Sequence, residues 1–337
     1  MRGSHPPDDL SSCDDDAEIF ALARALPAGL VDAIAAGHTH DGVAHRVAGT
    51  PIVQAYSWGR AFGRVDLHVR RSDGVVARST IHGPEPVCAW RDAASGACVN
   101  AGAAGAVAAR YADRPVVPLP AVDAATQATR ERVARLRATV VSPRRAAAVP
   151  RGGAGGESPL GNLMADAMRA MTPGADAALS YGAGPGGLRA DLPPGAPTLG
   201  ALYDVFPFDN RIEVLALTPA ELARLIADHG RRPRWGARAL GVSGLTVQLG
   251  CTGAGSVAVA DTAGRPVAEA RSLTVALSDF LAARARRLGV GRVARPPAPD
   301  APLVRDALLT WFRREVQATG LLGRWIAAGE TPAACGP

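Results

Sequence analysis

Apolar side chains along the chain switch between helical and strand spacing, and each switch marks an element. AEIFALARAL, residues 17–26, carries an apolar stripe at helical spacing and predicts a helix. GLVDAIAAG, residues 29–37, reads as a short buried strand that delivers His38 at its end. TPIVQAYS and GRVDLHVRR read as two further strands. In the second, Val65, Leu67 and Val69 alternate with Asp66, His68 and Arg70, as a half-exposed face requires. Residues 83–120 are rich in Gly, Pro and Ala and read as an excursion; residues 121–138 read as an Arg-rich connector helix. RGGAGGE then breaks the pattern, closing at Glu157.

Beyond that break a second unit begins. SPLGNLMADAMRAM predicts a helix with Ser158 as N-cap and Pro159 in its first turn. ADAALSY is a strand, GAGPGGLRADLPPG a long loop and RIEVLAL the next strand. TPAELARLIADHG predicts a helix opened by a capping box, Thr218 with Glu221, and stopped by Gly230. GLTVQL, SVAVAD and SLTVALSDF follow as strands, with TAGRP as a turn. Asp300 is placed to cap a last helix through PLVRDALLTWFRRE. Strands and helices alternate, so both units are expected to be α/β or α+β. The expected boundaries are 1–83, a linker over 84–139, and 140–330.

A chain of 337 residues is long enough for two domains with their own cores. Its 47% hydrophobic and 20% charged content is that of a soluble globular protein. It has no apolar run long enough to span a membrane. The first twelve residues, MRGSHPPDDLSS, contain no apolar core of a signal peptide. The net charge of +6 raises the question of nucleic acid. All 37 basic residues are Arg and are spread along the chain without an aromatic-interleaved stripe, so no nucleic-acid partner is expected. The pairs Arg144–Arg145 and Arg231–Arg232 read as solvated surface. The cysteines are Cys13, Cys88, Cys98, Cys251 and Cys335, and none forms a CxxC pair. Cys88 and Cys98 bracket a short loop with a glycine turn, which suits either a local disulfide or two independent thiols.

Candidate chemistry starts at GHTH. His38 and His40 stand two residues apart after a strand and a glycine, so both rings can face one cavity and take a divalent cation; alone, the pattern equally fits two loop histidines. Context extends it. VDAIAAGHTH followed by GTPIVQAYSWGRAFGRVDLHV resembles the last segment of the calcineurin-like metallophosphoesterase domain. ESPLGNLMADAMRAM, GGLRADLPPG, LYDVFPFDN and LTPAELARLIADHG, in that order, resemble the C-terminal domain of the 5′-nucleotidases, which include the periplasmic UDP-sugar hydrolases. The resemblance implies the C-terminal remnant of a four-layer α/β/β/α metallophosphoesterase, followed by the mixed α/β nucleotidase C-terminal domain.

It also implies roles. His38 and His40 would each contact one ion of a two-metal centre, such as zinc or manganese. Arg189 would meet the phosphate, where a bidentate guanidinium suits phosphate oxygens. Phe208 and Phe280 would sandwich the base; without the resemblance, both read as core. Asn162 and Asp166, four residues apart on one helix face, are expected to be structural or to support neighbouring site residues rather than to be catalytic, and Glu157 to be a solvated or capping charge.

The chain departs from the family in four places. The D-x-H, G-D-x-x-D and G-N-H-D/E metal motifs do not occur, and His5 sits outside any apolar strand. Gly184 or Tyr181 falls where an Asn is expected, and only Arg151 could replace a second phosphate Arg. Arg284-Ala285-Arg286 stands in place of a Gly-Gly-Asp, which removes a ribose acceptor at a cost of about 1–3 kcal/mol. The expected protein is therefore a 5′-nucleotidase-type hydrolase of periplasmic or secreted origin, truncated or misread at its start. As an isolated chain it would be inactive or impaired, with metal not stably held. The alternatives are a non-catalytic nucleotide- or nucleoside-binding module and an orphan fragment that self-associates or seeks a partner chain through exposed strand edges.

Overall fold

The structure, a computed structural model, describes residues 5–13, 17–143, 147–153, 157–183, 187–230, 240–250, 256–296, 300–314 and 320–328. Arg144, Arg145, Gly184, Arg231, Arg232, Cys251 and Cys335 lie outside the described residues. The chain divides into two units, Met1–Ala125 and Thr126–Pro337.

In the first unit, helix α1 (Glu18–Ala25) covers a three-stranded sheet of β1 (Ile34–Ala35), β2 (Gly42–Val47) and β3 (Thr50–Ala55), in the order β1-β3-β2. Phe20 and Ala23 of α1 pack on Val47 and Ile52. The expected strand over 29–37 shrinks to two residues paired parallel to β3. Strand β2 is not legible in the sequence, because GVAHRV mixes His and Arg into its apolar positions. It pairs with β3 across the two-residue turn Ala48–Gly49, whose φ values of 47° and 85° match the twist a tight hairpin needs. His45 of β2 is 1% exposed, and neither ring nitrogen has a hydrogen-bond partner among the described residues.

Strands β4 (Ala61–Val69) and β5 (Val76–Pro86) form a long antiparallel hairpin. Along β4, Arg64 Nε and Nη2 hold Asp66 at 2.6 and 2.8 Å, and from β5 His82 Nε2 reaches the same carboxylate at 2.9 Å. Arg64, with His82 second, pulls the Asp66 carboxyl down to a pKa of about 2. The segment expected as an excursion carries two short pairs, β6 (Trp90–Asp92) with β7 (Ala106–Ala108), and β8 (Arg110–Tyr111) with β9 (Arg114–Pro115). Cys88 and Cys98 form a disulfide there. The expected connector is α2 (Pro120–Arg137), which has no buried residue.

The second unit is built on a five-stranded mixed sheet. Its strands are β10 (Ala177–Tyr181), β11 (Ile212–Leu217), β12 (Leu240–Ser243), β15 (Leu273–Ser278) and β16 (Arg292–Arg295), in the order β12-β10-β15-β11-β16. Helices α3 (Pro159–Ala170), α4 (Leu199–Val205) and α7 (Val304–Arg313) cover one face; α5 (Pro219–Gly230) and α6 (Asp279–Arg287) cover the other. A smaller sheet of β13 (Thr246–Gly250), β14 (Ser256–Ala260) and β17 (Trp325–Ala328) adjoins the second core.

Alternation along the central strands assigns residues to the two cores. Leu179, Tyr181, Leu215, Leu217, Val275 and Leu277 face α5 and α6, whereas the small Ala178 and Ala276 face α3. Small residues let α3 come close: a Cβ on Gly241 of β12 would overlap the carbonyl of Gly161. The caps predicted at Ser158 and Thr218 form. Ser158 Oγ accepts from Gly161 N at 2.9 Å, and Glu221 Oε2 accepts from Thr218 N at 2.8 Å, which holds the Glu221 carboxyl below its ordinary pKa.

Two expectations need correction. The strand expected through Phe280 ends at Ser278, whose hydroxyl accepts from Leu281 N and opens α6 instead. Asp300 caps nothing, because α7 starts at Val304 with Leu303 as its N-cap and no side-chain bond.

Candidate functional site

The expected substrate residues gather at one edge of the central sheet. Strands β10 and β15 are parallel and end there, and β11, antiparallel to β15, begins there. In open α/β sheets, loops beyond the carboxyl ends of strands form the usual ligand crevice.

Arg189 lies in the loop after β10. Gly182 accepts from Leu188 N at 2.8 Å, and a Cβ on Gly187 would overlap the Gly182 carbonyl, so the chain folds back tightly. Arg189 N then donates to Val205 O at 2.9 Å, at the end of α4. With its backbone fixed, the Arg189 guanidinium lies over the ring of Phe208, 5.1 Å from the centroid.

Phe208 belongs to the FPFDN segment that feeds β11. Its neighbour Phe206 is buried and meets it edge-on at 5.1 Å. Arg305 of α7 donates to the Phe208 carbonyl at 3.2 Å and pairs with Asp209 at 2.8 Å. Asn210 Nδ2 and Arg211 N donate to the two oxygens of Asp279 at 2.5 and 3.0 Å. Asp279 opens α6, and the next residue is Phe280. The Phe280 ring is 47% exposed and leans on Tyr181 at 5.7 Å; Tyr181 meets His229 at 5.3 Å. The Asn210–Asp279 contact thus fastens the segment bearing Phe208 to the helix bearing Phe280. Sequence reading misses it, since two polar residues 69 positions apart carry no local signal.

The positive charges around this edge are unequal. Arg151 Nη1 donates to the Arg189 carbonyl at 2.6 Å, and its Nε lies 3.6 Å from Asp191. Arg284 pairs with Asp228, and Arg286 with Glu213 at 2.6 Å; Glu213 raises the Arg286 pKa above its ordinary value. The charge reversal expected at Arg286 is therefore absorbed inside the fold. Among the described residues, Arg189 has no carboxylate partner.

Behind the site a buried polar network fixes α3. Asn162 is fully buried. Its Nδ2 donates to Glu157 at 2.7 Å and to Leu321 O at 2.9 Å, and its Oδ1 accepts from Val242 N at 2.8 Å. Asp166 takes Arg324 through both oxygens, at 2.8 and 2.7 Å, and the Ser243 hydroxyl at 2.6 Å. Asn162 and Asp166 are structural, as expected. Glu157 is not solvated: it is 6% exposed and accepts from Gly323 N and Arg324 N at 2.9 and 3.0 Å. Burial of a carboxylate is tolerated where such donors meet its lone pairs.

His38 and His40 stand in the first unit, on the loop after β1. Both are exposed and left-handed, with φ of 73° and 62°. Thr39 between them accepts from Gln54 at 2.8 Å, and the His40 ring lies 6.1 Å from Trp58. Among the described residues no three His, Cys, Asp or Glu side chains group as a metal site. Two imidazoles without carboxylates do not fit a centre of two divalent cations.

The family model for the 5′-nucleotidase C-terminal domain matches residues 136–287. Endonuclease YhcR of Bacillus subtilis (strain 168) is 29% identical over 200 residues, which are 58% of this chain and 14% of that protein. Among solved structures, a 5′-nucleotidase precursor from Thermus thermophilus is similar with a TM-score of 0.55 and 22% identity. It covers 93% of this chain, which spans 62% of that one. A Staphylococcus aureus structure assigned as a 5′-nucleotidase gives a TM-score of 0.58 at 16% identity, covering 96% of this chain and 62% of its own. At these identities the structures speak for the fold. With the capped helix at Ser158, the GGLR loop and the FPFDN segment all inside the matched range, residues 136–287 belong to the 5′-nucleotidase C-terminal domain family.

Proposed function

We propose that the second unit binds a nucleotide for a 5′-nucleotidase-type metallophosphoesterase, with Arg189 on the phosphate and Phe208 and Phe280 on the base. The observation that carries this reading is the convergence, at one sheet edge, of two fastened aromatic rings and a guanidinium that has no carboxylate partner among the described residues. Two ring faces give affinity for any base, and a forked cation adds demand for an oxyanion. Hydrolysis belongs to a two-metal centre, and His38 and His40 alone do not supply its ligands, so the chain as it stands binds nucleotide without cleaving it. The Cys88–Cys98 disulfide favours an oxidising, extracytoplasmic setting.

Calorimetric titration of the full chain with AMP tests this. Phe208→Ala and Phe280→Ala should each weaken binding by about tenfold, since an aromatic stack on a base contributes about 1–3 kcal/mol. Absence of binding at millimolar AMP, or variants that bind like the parent, would remove the reading. Phosphate release with added manganese would show a metal centre and overturn the non-hydrolytic part.

A further inference from the structure

Arg189 has one cationic head and two uses that exclude each other. In the structure the guanidinium lies on the Phe208 ring. To hold a phosphate it must turn toward the anion, and to present Phe208 fully to a base it must leave the ring. We propose that Arg189 makes this exchange. It covers Phe208 in the empty protein, and the phosphate of an incoming nucleotide draws it off. The inference rests on the nucleotide reading above and adds ligand selection to it: a phosphate-bearing nucleotide is preferred to the bare nucleoside.

Three features support the exchange. The first is the missing counter-ion. Neighbouring arginines are held by acids, Arg151 by Asp191, Arg286 by Glu213 and Arg305 by Asp209, while among the described residues Arg189 faces a ring. The second is anchoring. The Arg189 backbone is bonded on both sides, through Val205 O and Arg151, and the Phe208 segment is tied by Arg305 and Asp279. The side chain can therefore swing without moving either loop. The third is relative strength. A guanidinium on a half-exposed ring is worth about two- to fivefold in an equilibrium constant, whereas charge-assisted bonds to a phosphate are worth about tenfold or more. The anion wins the exchange; a neutral ligand has to displace the cation unaided.

The test compares AMP, adenosine and inorganic phosphate on the full chain by calorimetry. Arg189→Ala should weaken AMP by about tenfold or more yet tighten adenosine by about two- to fivefold, because the ring is released. Arg189→Lys keeps a charge but not a planar stack, so it should tighten adenosine while costing AMP only a few-fold. In the parent, saturating phosphate should tighten adenosine by the same two- to fivefold, and this coupling should vanish in Arg189→Ala. If Arg189→Ala weakens adenosine or leaves it unchanged, the guanidinium is part of the platform and the exchange is wrong, although AMP binding by the parent still upholds the nucleotide site. An adenosine affinity indifferent to phosphate overturns the exchange equally. A parent protein that binds neither AMP nor adenosine removes the site itself, and the exchange with it.

Discussion

Replacing Asn162 by leucine probes the buried network that fixes α3. Three hydrogen bonds go at once. The bond to the Glu157 carboxylate is charge-assisted and worth about 1.5–3 kcal/mol, and the bond to Leu321 O is worth about 1 kcal/mol. The third loss leaves Val242 N without its acceptor inside the core, at a cost of about 1–3 kcal/mol. Allowing for the apolar volume that leucine adds, Asn162→Leu should cost about 4 kcal/mol. With a urea slope of about 2 kcal/mol per molar, the unfolding midpoint followed by circular dichroism should fall by about 2 M. Asn162→Asp supplies the electrostatic control. It sets a second carboxyl against Glu157 across the 2.7 Å now bridged by an amide N–H. Two carboxylates at that distance cannot both ionise, so one is expected to have a folded pKa above its unfolded value. Stability supplied by that proton is present at low pH and lost as pH rises through the raised pKa. Asn162→Asp should therefore be less stable than Asn162→Leu at pH 8 and should recover toward pH 5, while Asn162→Leu should not. A loss below about 1 kcal/mol for the leucine variant, or an aspartate variant indifferent to pH, would refute this account of the network.

Two further outcomes test the first unit. The Asp66 carboxyl should titrate by NMR with a midpoint of about 2 and return toward the ordinary carboxylate range in Arg64→Ala. Because its folded pKa is depressed, its contribution to stability is complete above about pH 4 and disappears as pH falls through about 2; a wild-type midpoint near 4 would contradict the Arg64 and His82 contacts. His45→Leu removes a buried ring whose two nitrogens have no partner among the described residues, so it should leave stability unchanged or raise it by about 1–2 kcal/mol. Destabilisation in thermal melts would show that the imidazole makes a bond the unit needs.

Helix starts are the most legible part of the fold, because caps are local chemistry: Ser158 with Pro159, and Thr218 with Glu221, announce their helices within four residues. Elements defined by distant packing are harder to read. Strand β12 and helix α4 lack strong periodicity of their own, and β16 carries Arg at both ends. The sheet and its neighbours recruit these segments. At the proposed site, the family resemblance singles out Arg189, Phe208 and Phe280 as candidates, but their arrangement is not legible in the sequence. It depends on Asn210, Asp279 and Tyr181, whose partners lie far along the chain or in another element. Glu157 is misjudged from sequence for the same reason. A lone glutamate beside a glycine-rich break resembles surface until Gly323 and Arg324 are brought to it.

That last contact bears on how the protein is made. Glu157 and its donors are separated by 166 and 167 positions, so a ribosome has translated nearly all of the second unit before the carboxylate meets them. Until then, completing the core would leave the carboxylate with the Asn162 amide but without its two backbone donors. The nascent chain has reason to stay loose, exposed to proteases and in need of chaperones, and to close in one late step when Arg324 emerges.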